Sequence, residues 1–467
     1  MESLPQVYQK VLIADGLTPV SAYFAVRGQA EGGSFLLESV VGGERWARYS
    51  ILGYRPKTQI VLYGQEGVDP FARLSELVPS NQDSPKTPAE KFATAYVGLL
   101  CFEMVHYSTK VDKWPQDERA PIARLLGDCT VVVFDHLTKE LTIASTDAQH
   151  VADCEALLMS APNLLPFDVP DGAALPQDID LNLDDEAYSK AVERCREYIR
   201  AGDAFQIVPG RTFSVPTLGT DAFEVYRSLR VLSPAPYMYF LDFPADGQAP
   251  ALAIAGASPE TLVRVEGGKV FLRPIAGTRR RGRSEAEDDA LAAEMIADPK
   301  EVAEHVMLID LARNDIGRIA ETGTVTVPNR MFVERYSHVM HITSEVQGVV
   351  ARDQTPWDVL RATFPAGTLS GAPKVRAMQI IRELEPRRRG PYGGAIGYVT
   401  RGKDLDLAIG IRTVVMQNGY FEVTAGAGIV ADSDPRLECK ETRNKAHAAL
   451  SAVFAARERH RKAQAGG

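Results

Sequence analysis

The tightest constraint on the fold of this chain is the grouping of its apolar residues, which fall in short runs cut by Gly, Pro or charge. Between residue 1 and about residue 155 the runs SFLLESV, YSILGY, TQIVLYG, TAYVGLLCF and CTVVVFDH have the length and composition of strands. A second series, FQIVPGRTFSV, PYMYFLDF, ALAIAGAS and KVFLRPIAG, occupies the middle of the chain, with helical patterns between some members. Strands in consecutive runs, without strict β-α-β alternation, predict an α+β fold with antiparallel or mixed sheets. At 467 residues the chain exceeds what one hydrophobic core usually serves, so two or three domains, or one large two-lobed body, are expected. The stretch APNLLPFDVPDGAALPQDIDLNLDD has no sustained periodicity and places a boundary near residue 180, with 1–180 as one lobe and 181–467 as the other.

Composition narrows the class of function. A formal net charge of −9 argues against a general nucleic-acid binder, which needs clustered cationic surface to displace counterions from phosphates. The start MESLPQVYQKVLIADG has no basic segment leading into an apolar one, and no later segment offers the long apolar run of a membrane helix. A cytoplasmic protein without membrane contact is therefore expected. Cys101, Cys129, Cys154, Cys195 and Cys439 are odd in number and never in C-x-x-C spacing, which fits reduced thiols. None sits in the glycine-flanked turn that a glutamine-hydrolysing nucleophile requires.

Two acidic helix starts stand out. In DPKEVAEHVMLIDLARNDIG, Asp298 is placed to cap a helix that Pro299 opens, Glu301 falls at the capping-box position, and Glu301 and Glu304 share a face at i, i+3. DSDPRLECKETRNKA repeats the device with Asp434, Pro435, Glu438 and Glu441, and Lys445 stands one turn further on. If the helices converge, the four carboxylates would suit a hard divalent ion such as Mg²⁺; taken alone, each pair is more often a solvated helix face or a cap. A further helix is predicted over DEAYSKAVERCREYIRAGD, with Tyr188, Val192, Cys195 and Ile199 on its apolar stripe and Gly202 at its end.

Glycine-rich turns form the second constellation. FPAGTLSGAPKVRAM sets Gly367, Thr368 and Gly371 before a helix opened by Pro373, and TAGAGIVADSDP sets Gly426 and Gly428 before the second acidic helix. Free N–H groups there would bind a carboxylate, although for a bare Gly-rich turn simple chain reversal is the commoner reading. Neither matches a nucleotide-binding fingerprint. Gln206, Glu260, Thr278, His341 and Arg412 are the remaining single candidates.

Read together and in order, PIAGTRRRG, the DPKE-to-LARND helix, SHVMHITSEV, FPAGTLSGAPKVRAM, YGGAIGY and DPRLECKETRNKA resemble the chorismate-utilising enzymes: anthranilate, aminodeoxychorismate, isochorismate and salicylate synthases. The resemblance spans about residues 186–455 and implies a layered α/β sandwich on large antiparallel sheets, with two interleaved lobes. It implies that Glu301, Glu304, Glu438 and Glu441 hold Mg²⁺ against a carboxylate of chorismate. Tyr392, Arg412, Gly426, Gly428, Lys445 and Thr278 become substrate contacts. Glu260 becomes the general acid at the C4 hydroxyl and His341 the histidine of the pyruvate-elimination half, with Gln206 and Thr368 completing the catalytic set.

Two positions select a branch. Isochorismate and salicylate synthases carry a water-activating lysine where this chain has Gln206, and aminodeoxychorismate synthases typically read PIKGT, with a lysine nucleophile, where this chain has Ala276. The chain therefore resembles the large subunits of anthranilate synthases, in which ammonia attacks C2 directly; a partner glutamine amidotransferase subunit is implied as its source. FLLESVVGGERWARYSILG and PAPYMYF resemble the two walls of a tryptophan feedback site, with Glu38, Ser39, Pro236, Tyr237 and Met238 as contacts for L-tryptophan as inhibitor. The family commonly reads NPSPYMYF there, where this chain has Ser233 and Ala235.

Overall fold

The computed structural model of the protein describes residues 5–39, 48–65, 67–78, 85–114, 120–162, 164, 166–336 and 339–465. Residues 40–47 of the tryptophan-site segment and residues 337 and 338 of SHVMHITSEV lie outside the described residues.

Among the described residues, two large antiparallel sheets form the centre of the fold. The first holds eleven strands, in the order Tyr8–Ile13, Glu140–Ser145, Thr130–Asp135, Tyr49–Tyr54, Ser34–Glu38, Tyr237–Phe243, Leu252–Ser258, Thr413–Gln417, Tyr420–Gly426, Gly210–Pro216 and Asp180–Leu181. The second has ten and runs Ile275–Arg280, Val339–Val349, Lys269–Leu272, Thr261–Glu266, Leu405–Ile409, Ala395–Val399, Tyr96–Leu100, Pro121–Gly127 and Thr58–Tyr63, with Thr326–Arg335 also paired to Val339–Val349.

Period-two alternation accounts for the layering, since successive side chains of a strand face opposite sides. Phe35, Ile51, Val131, Tyr239, Leu241 and Ile254 of the first sheet meet Val97, Leu99, Leu126, Ile396 and Ala408 of the second in one inter-sheet core. Their neighbours Leu36, Leu52, Val132, Met238 and Phe240 point the other way. There they pack beneath the helices Pro19–Arg27, Ala148–Met159, Ala222–Leu232 and Pro435–Ala465. On the far side of the second sheet, Tyr96, Leu100, Leu125, Leu405 and Leu407 pack with residues of helices Pro299–Gly317, Pro356–Thr363 and Lys374–Leu384. The antiparallel sheets agree with the strand pattern, and their layering is the sandwich that the resemblance implies.

Residue 180 does not separate the sheets. Strand Ser34–Glu38 pairs with Tyr237–Phe243, Met238 opposite Glu38, and Tyr96–Leu100 pairs with Ala395–Val399. Both sheets thus mix strands from either side of that position.

The two acidic helices start as local chemistry dictates. Asp298 accepts from the N–H of Lys300 at 2.9 Å, and Asp434 from those of Arg436 at 2.8 Å and Leu437 at 3.2 Å. Helix Asp185–Arg200 buries Tyr188, Val192 and Cys195. The predicted strand FQIVPGRTFSV is instead broken into Gln206–Ile207, which pairs with Gly371–Ala372, and Gly210–Pro216. Pro209 lies at the break, and its carbonyl accepts from the buried Tyr188 hydroxyl at 3.0 Å.

Candidate active site

A cavity of about 380 Å³ opens where ends of both sheets meet the starts of the two acidic helices. Gln206, Glu260, Thr278, Glu304, His341, Thr368, Tyr392, Arg412, Gly426, Gly428, Glu438, Glu441 and Lys445 all line it. Residues scattered over some 240 positions of sequence are brought together by the sheet pairings.

Glu260 follows strand Leu252–Ser258, and the hydroxyl of Thr368 donates to its Oε1 at 2.9 Å. Burial pushes this carboxyl up to about 7, outweighing the opposing effects of the Thr368 hydrogen bond and the Lys445 charge. Near neutrality it therefore holds a proton about half of the time, as a general acid requires.

His341 lies on Val339–Val349, opposite the irregular strand Ile275–Arg280, whose register shifts between Ala276 and Arg279. Its Nδ1 is 3.0 Å from the Gly277 carbonyl and 3.1 Å from Thr278 Oγ1. A carbonyl only accepts, so Nδ1 carries the hydrogen and the neutral ring keeps its lone pair on Nε2. Burial, with the nearby Arg412 charge, lowers the pKa of His341 and favours that neutral form.

Arg412 supplies a cation largely withdrawn from water, with burial lowering its pKa. Among the described residues it makes no carboxylate ion pair, and its φ of 50° places it in the sparsely populated left-handed region. A desolvated guanidinium of this kind is suited to an anion arriving in the cavity. Gly426 must be glycine: a Cβ there would fall 2.7 Å from the Pro209 carbonyl oxygen and 2.8 Å from Tyr392 Oη.

The acidic residues divide. Glu304, Glu438 and Glu441 face the cavity, with Gln206 Nε2 donating to Glu304 at 3.3 Å and Lys445 paired to Glu441 at 2.7 Å. Burial pushes Glu438 up, and the Glu441 charge adds to the shift. Glu301 turns elsewhere, pairing with Arg279 at 3.0 Å, and so does not close the predicted capping box. Among the described residues, no three acidic, His or Cys side chains are gathered tightly enough to grip a metal by themselves. The fit to Mg²⁺ is thus partial: two helices present three carboxylates to one cavity, and the fourth is held by an arginine. Lys445 likewise is already engaged, donating to the Gly426 carbonyl at 3.0 Å.

In the turn Gly367–Leu369, part of the N–H set proposed for a carboxylate is used within the turn. The N–H groups of Leu369 and Ser370 bond back to Ala366 and Gly367. Gly371, with φ of 124°, is needed because a Cβ there would lie 2.1 Å from the Gln206 carbonyl oxygen. Pro373 precedes the helix, which begins at Lys374.

A second cavity, of about 630 Å³, lies between the sheets and is lined by Glu38, Ser39, Pro236, Tyr237 and Met238. The Glu38 carboxylate is turned into the protein, taking bonds from Arg230 at 2.7 and 2.9 Å and from the Tyr226 hydroxyl at 2.6 Å. Ser39 Oγ, in contrast, is buried without a hydrogen-bond partner among the described residues.

Sequence reasoning missed the ion pair beneath the site. Arg389 donates to Glu385 at 2.6 and 2.9 Å and to the carbonyls of Leu369 and Val208 at 2.7 Å each, while Glu385 accepts from the N–H of Gly210 at 2.7 Å. It thereby ties the turn carrying Thr368 to the segment carrying Gln206. The i, i+4 spacing of Glu385 and Arg389 was the available signal. Lys300 also lines the cavity and was missed; nothing in its local sequence marks it.

Residues 34–451 match the family described as chorismate binding enzyme. The chain is 44% identical over 461 residues to an anthranilate synthase component 1 of Thermus thermophilus, covering 96% of this chain and 97% of that protein. It is 40% identical over 470 residues to one of Acetivibrio thermocellus, covering 94% and 93%. The crystal structure of anthranilate synthase component I from Streptococcus pneumoniae superposes with a TM-score of 0.76 at 37% identity, covering 94% of this chain and 99% of that one. The menaquinone-specific isochorismate synthase of Escherichia coli, at 17% identity and a TM-score of 0.72, shares the fold, covering 96% of this chain and 95% of that one.

Proposed function

From the premise that this chain belongs to the chorismate-binding enzyme family, we propose that it is the large component of an anthranilate synthase, a lyase converting chorismate and ammonia to anthranilate and pyruvate. The observation that carries the reading is a single cavity in which a carboxyl poised near neutrality faces the same space as the desolvated Arg412 guanidinium, which has no carboxylate partner among the described residues. Arg412 binds a substrate carboxylate, and Glu260 protonates the departing C4 hydroxyl, a poor leaving group without that proton. His341, neutral with Nε2 unprotonated, serves the elimination of pyruvate. Ala276 lines the cavity and offers no nucleophile, which supports this branch over aminodeoxychorismate synthesis. Glu304, Glu438 and Glu441, with Glu301 once released from Arg279, are the residues that would hold Mg²⁺. The ion would supply charge neutralisation for a carboxylate of chorismate.

Glutamine-derived ammonia is assigned to a separate amidotransferase. All five cysteines are buried, and burial pushes the Cys154 thiol up to about 11 and that of Cys195 up to about 12, the reverse of an activated nucleophile. The purified chain, given chorismate, Mg²⁺ and ammonium, is expected to develop anthranilate fluorescence; with glutamine in place of ammonium it should develop none until an amidotransferase partner is added. Aminodeoxychorismate as product, or no turnover with ammonium, would defeat the reading. The latter outcome, with tryptophan still bound, would indicate a sensing protein without chemistry.

The larger cavity is assigned to tryptophan as feedback inhibitor. Its wall residue Tyr237 donates to Asp406 at 2.8 Å and shares a 2.9 Å bond with Thr261, the residue after Glu260, so effector binding has a short route to the acid. Ser39→Phe is expected to raise the half-inhibiting tryptophan concentration at least about tenfold, a loss of about 1.4 kcal/mol or more of inhibitor binding, with uninhibited turnover little changed. An inhibition curve matching that of the parent would remove Ser39 from the site.

A further inference from the structure

Glu260 stands on the partition between two cavities. Behind the substrate cavity lies a smaller one of about 50 Å³, room for a few waters, and Glu260, Thr368 and Leu308 line both. Helix Pro299–Gly317 runs along the pair: Glu304 and Leu308 face the first cavity, and Leu308, Ala312 and Asp315 face the second. That spacing, 304, 308, 312 and 315, is one helical stripe, spanning about 16 Å of rise from Glu304 to Asp315.

Asp315 is 4% exposed; its Oδ2 takes the Lys374 ammonium at 2.8 Å, and its Oδ1 has no hydrogen-bond partner among the described residues. A buried carboxylate oxygen left without a donor costs free energy unless water or a proton serves it, and the cavity it lines provides the space. Lys374 keeps 10% of its side-chain surface exposed, enough to touch solvent. Burial lowers Lys374 and raises Asp315, which brings their proton affinities together.

We infer that Asp315, with Lys374, supplies protons to Glu260 from behind through water in the small cavity, independently of the substrate cavity. The inference rests on the proposed acid role of Glu260. In each turnover the C4–O bond breaks with its electron pair going to oxygen, and the Glu260 proton completes a molecule of water. The ammonia nitrogen bonds C2 with its own lone pair and then gives one proton to solvent. Glu260 must regain one proton, so solvent neither gains nor loses protons overall. While chorismate fills the front cavity, the rear one, which Glu260 also lines, offers that return a path of its own. Asp315 acts through Glu260 and touches no substrate.

Two variants of the whole chain test this in the ammonia-dependent reaction: Asp315→Asn, and the doubly neutral Asp315→Ala with Lys374→Met, which leaves no unpaired buried charge. Both are expected to lower kcat about tenfold or more with KM for chorismate unchanged and a larger solvent deuterium isotope effect. Added formate, small enough for the vacated space, should restore turnover in the double variant. A kcat within twofold of the parent in either folded variant would overturn the inference. So would a loss that formate does not relieve and that leaves the isotope effect unchanged, since a merely structural role predicts that result. Glu260→Gln measured alongside separates the two readings: full turnover there removes the acid itself, whereas its loss beside normal Asp315 variants removes only the rear path.

Discussion

Glu260→Gln is expected to lower ammonia-dependent kcat by about 10²–10⁴-fold, the contribution of a positioned general acid, with little effect on folding. The amide keeps the shape and still accepts from Thr368, but it has no proton to give to the leaving hydroxyl. The pH profile adds a second signature. Because burial raises this carboxyl to about 7, its protonated, active form predominates below that pH and is lost as pH rises through it. At fixed free ammonia, kcat/KM of the parent should therefore fall above about pH 7, whereas the residual activity of the variant should not follow that titration. Steady-state rates at constant free ammonia, with folding followed by circular dichroism, check both; near-normal turnover in the variant would remove Glu260 from the chemistry.

Glu438→Gln is expected to cut turnover by about 10³-fold or more at moderate Mg²⁺, since electrostatic neutralisation of this kind is worth several kcal/mol. The parent carboxylate is half-buried beside Glu441, an arrangement that a cation relieves, and glutamine removes the charge without altering side-chain volume. Calorimetric titration with Mg²⁺ should show weakened binding in the absence of substrate, a readout independent of turnover. Glu301→Gln should cost less, because Glu301 must first leave Arg279, and that lost ion pair is part of what the parent already forgoes. Equal Mg²⁺ affinity in parent and Glu438→Gln would end the assignment.

Features that depend on neighbours within a few residues were legible in the sequence. The starts of the two acidic helices follow from Asp-Pro and the capping geometry of the first turn. The strands follow from short apolar runs cut by Gly, Pro or charge, and their consecutive order pointed to antiparallel or mixed sheets. The motif order pointed to the family, and thirteen residues proposed for catalysis, substrate or metal line one cavity.

Tertiary structure alone decided what each of those side chains meets. Glu38 pairs with Arg230 across 192 positions, and Arg389 donates to the Val208 carbonyl across 181. Such partners are set by sheet order, about which a strand's own residues carry little information. Glu301 and Glu304 occupy equivalent places in the helical pattern, yet one meets Arg279 and the other the cavity, because the irregular strand Ile275–Arg280 brings that arginine to only one of them. The proton affinity of Glu260 was equally beyond local reading. It is a desolvation effect, produced by everything packed around the carboxyl, and no short segment of sequence contains that environment.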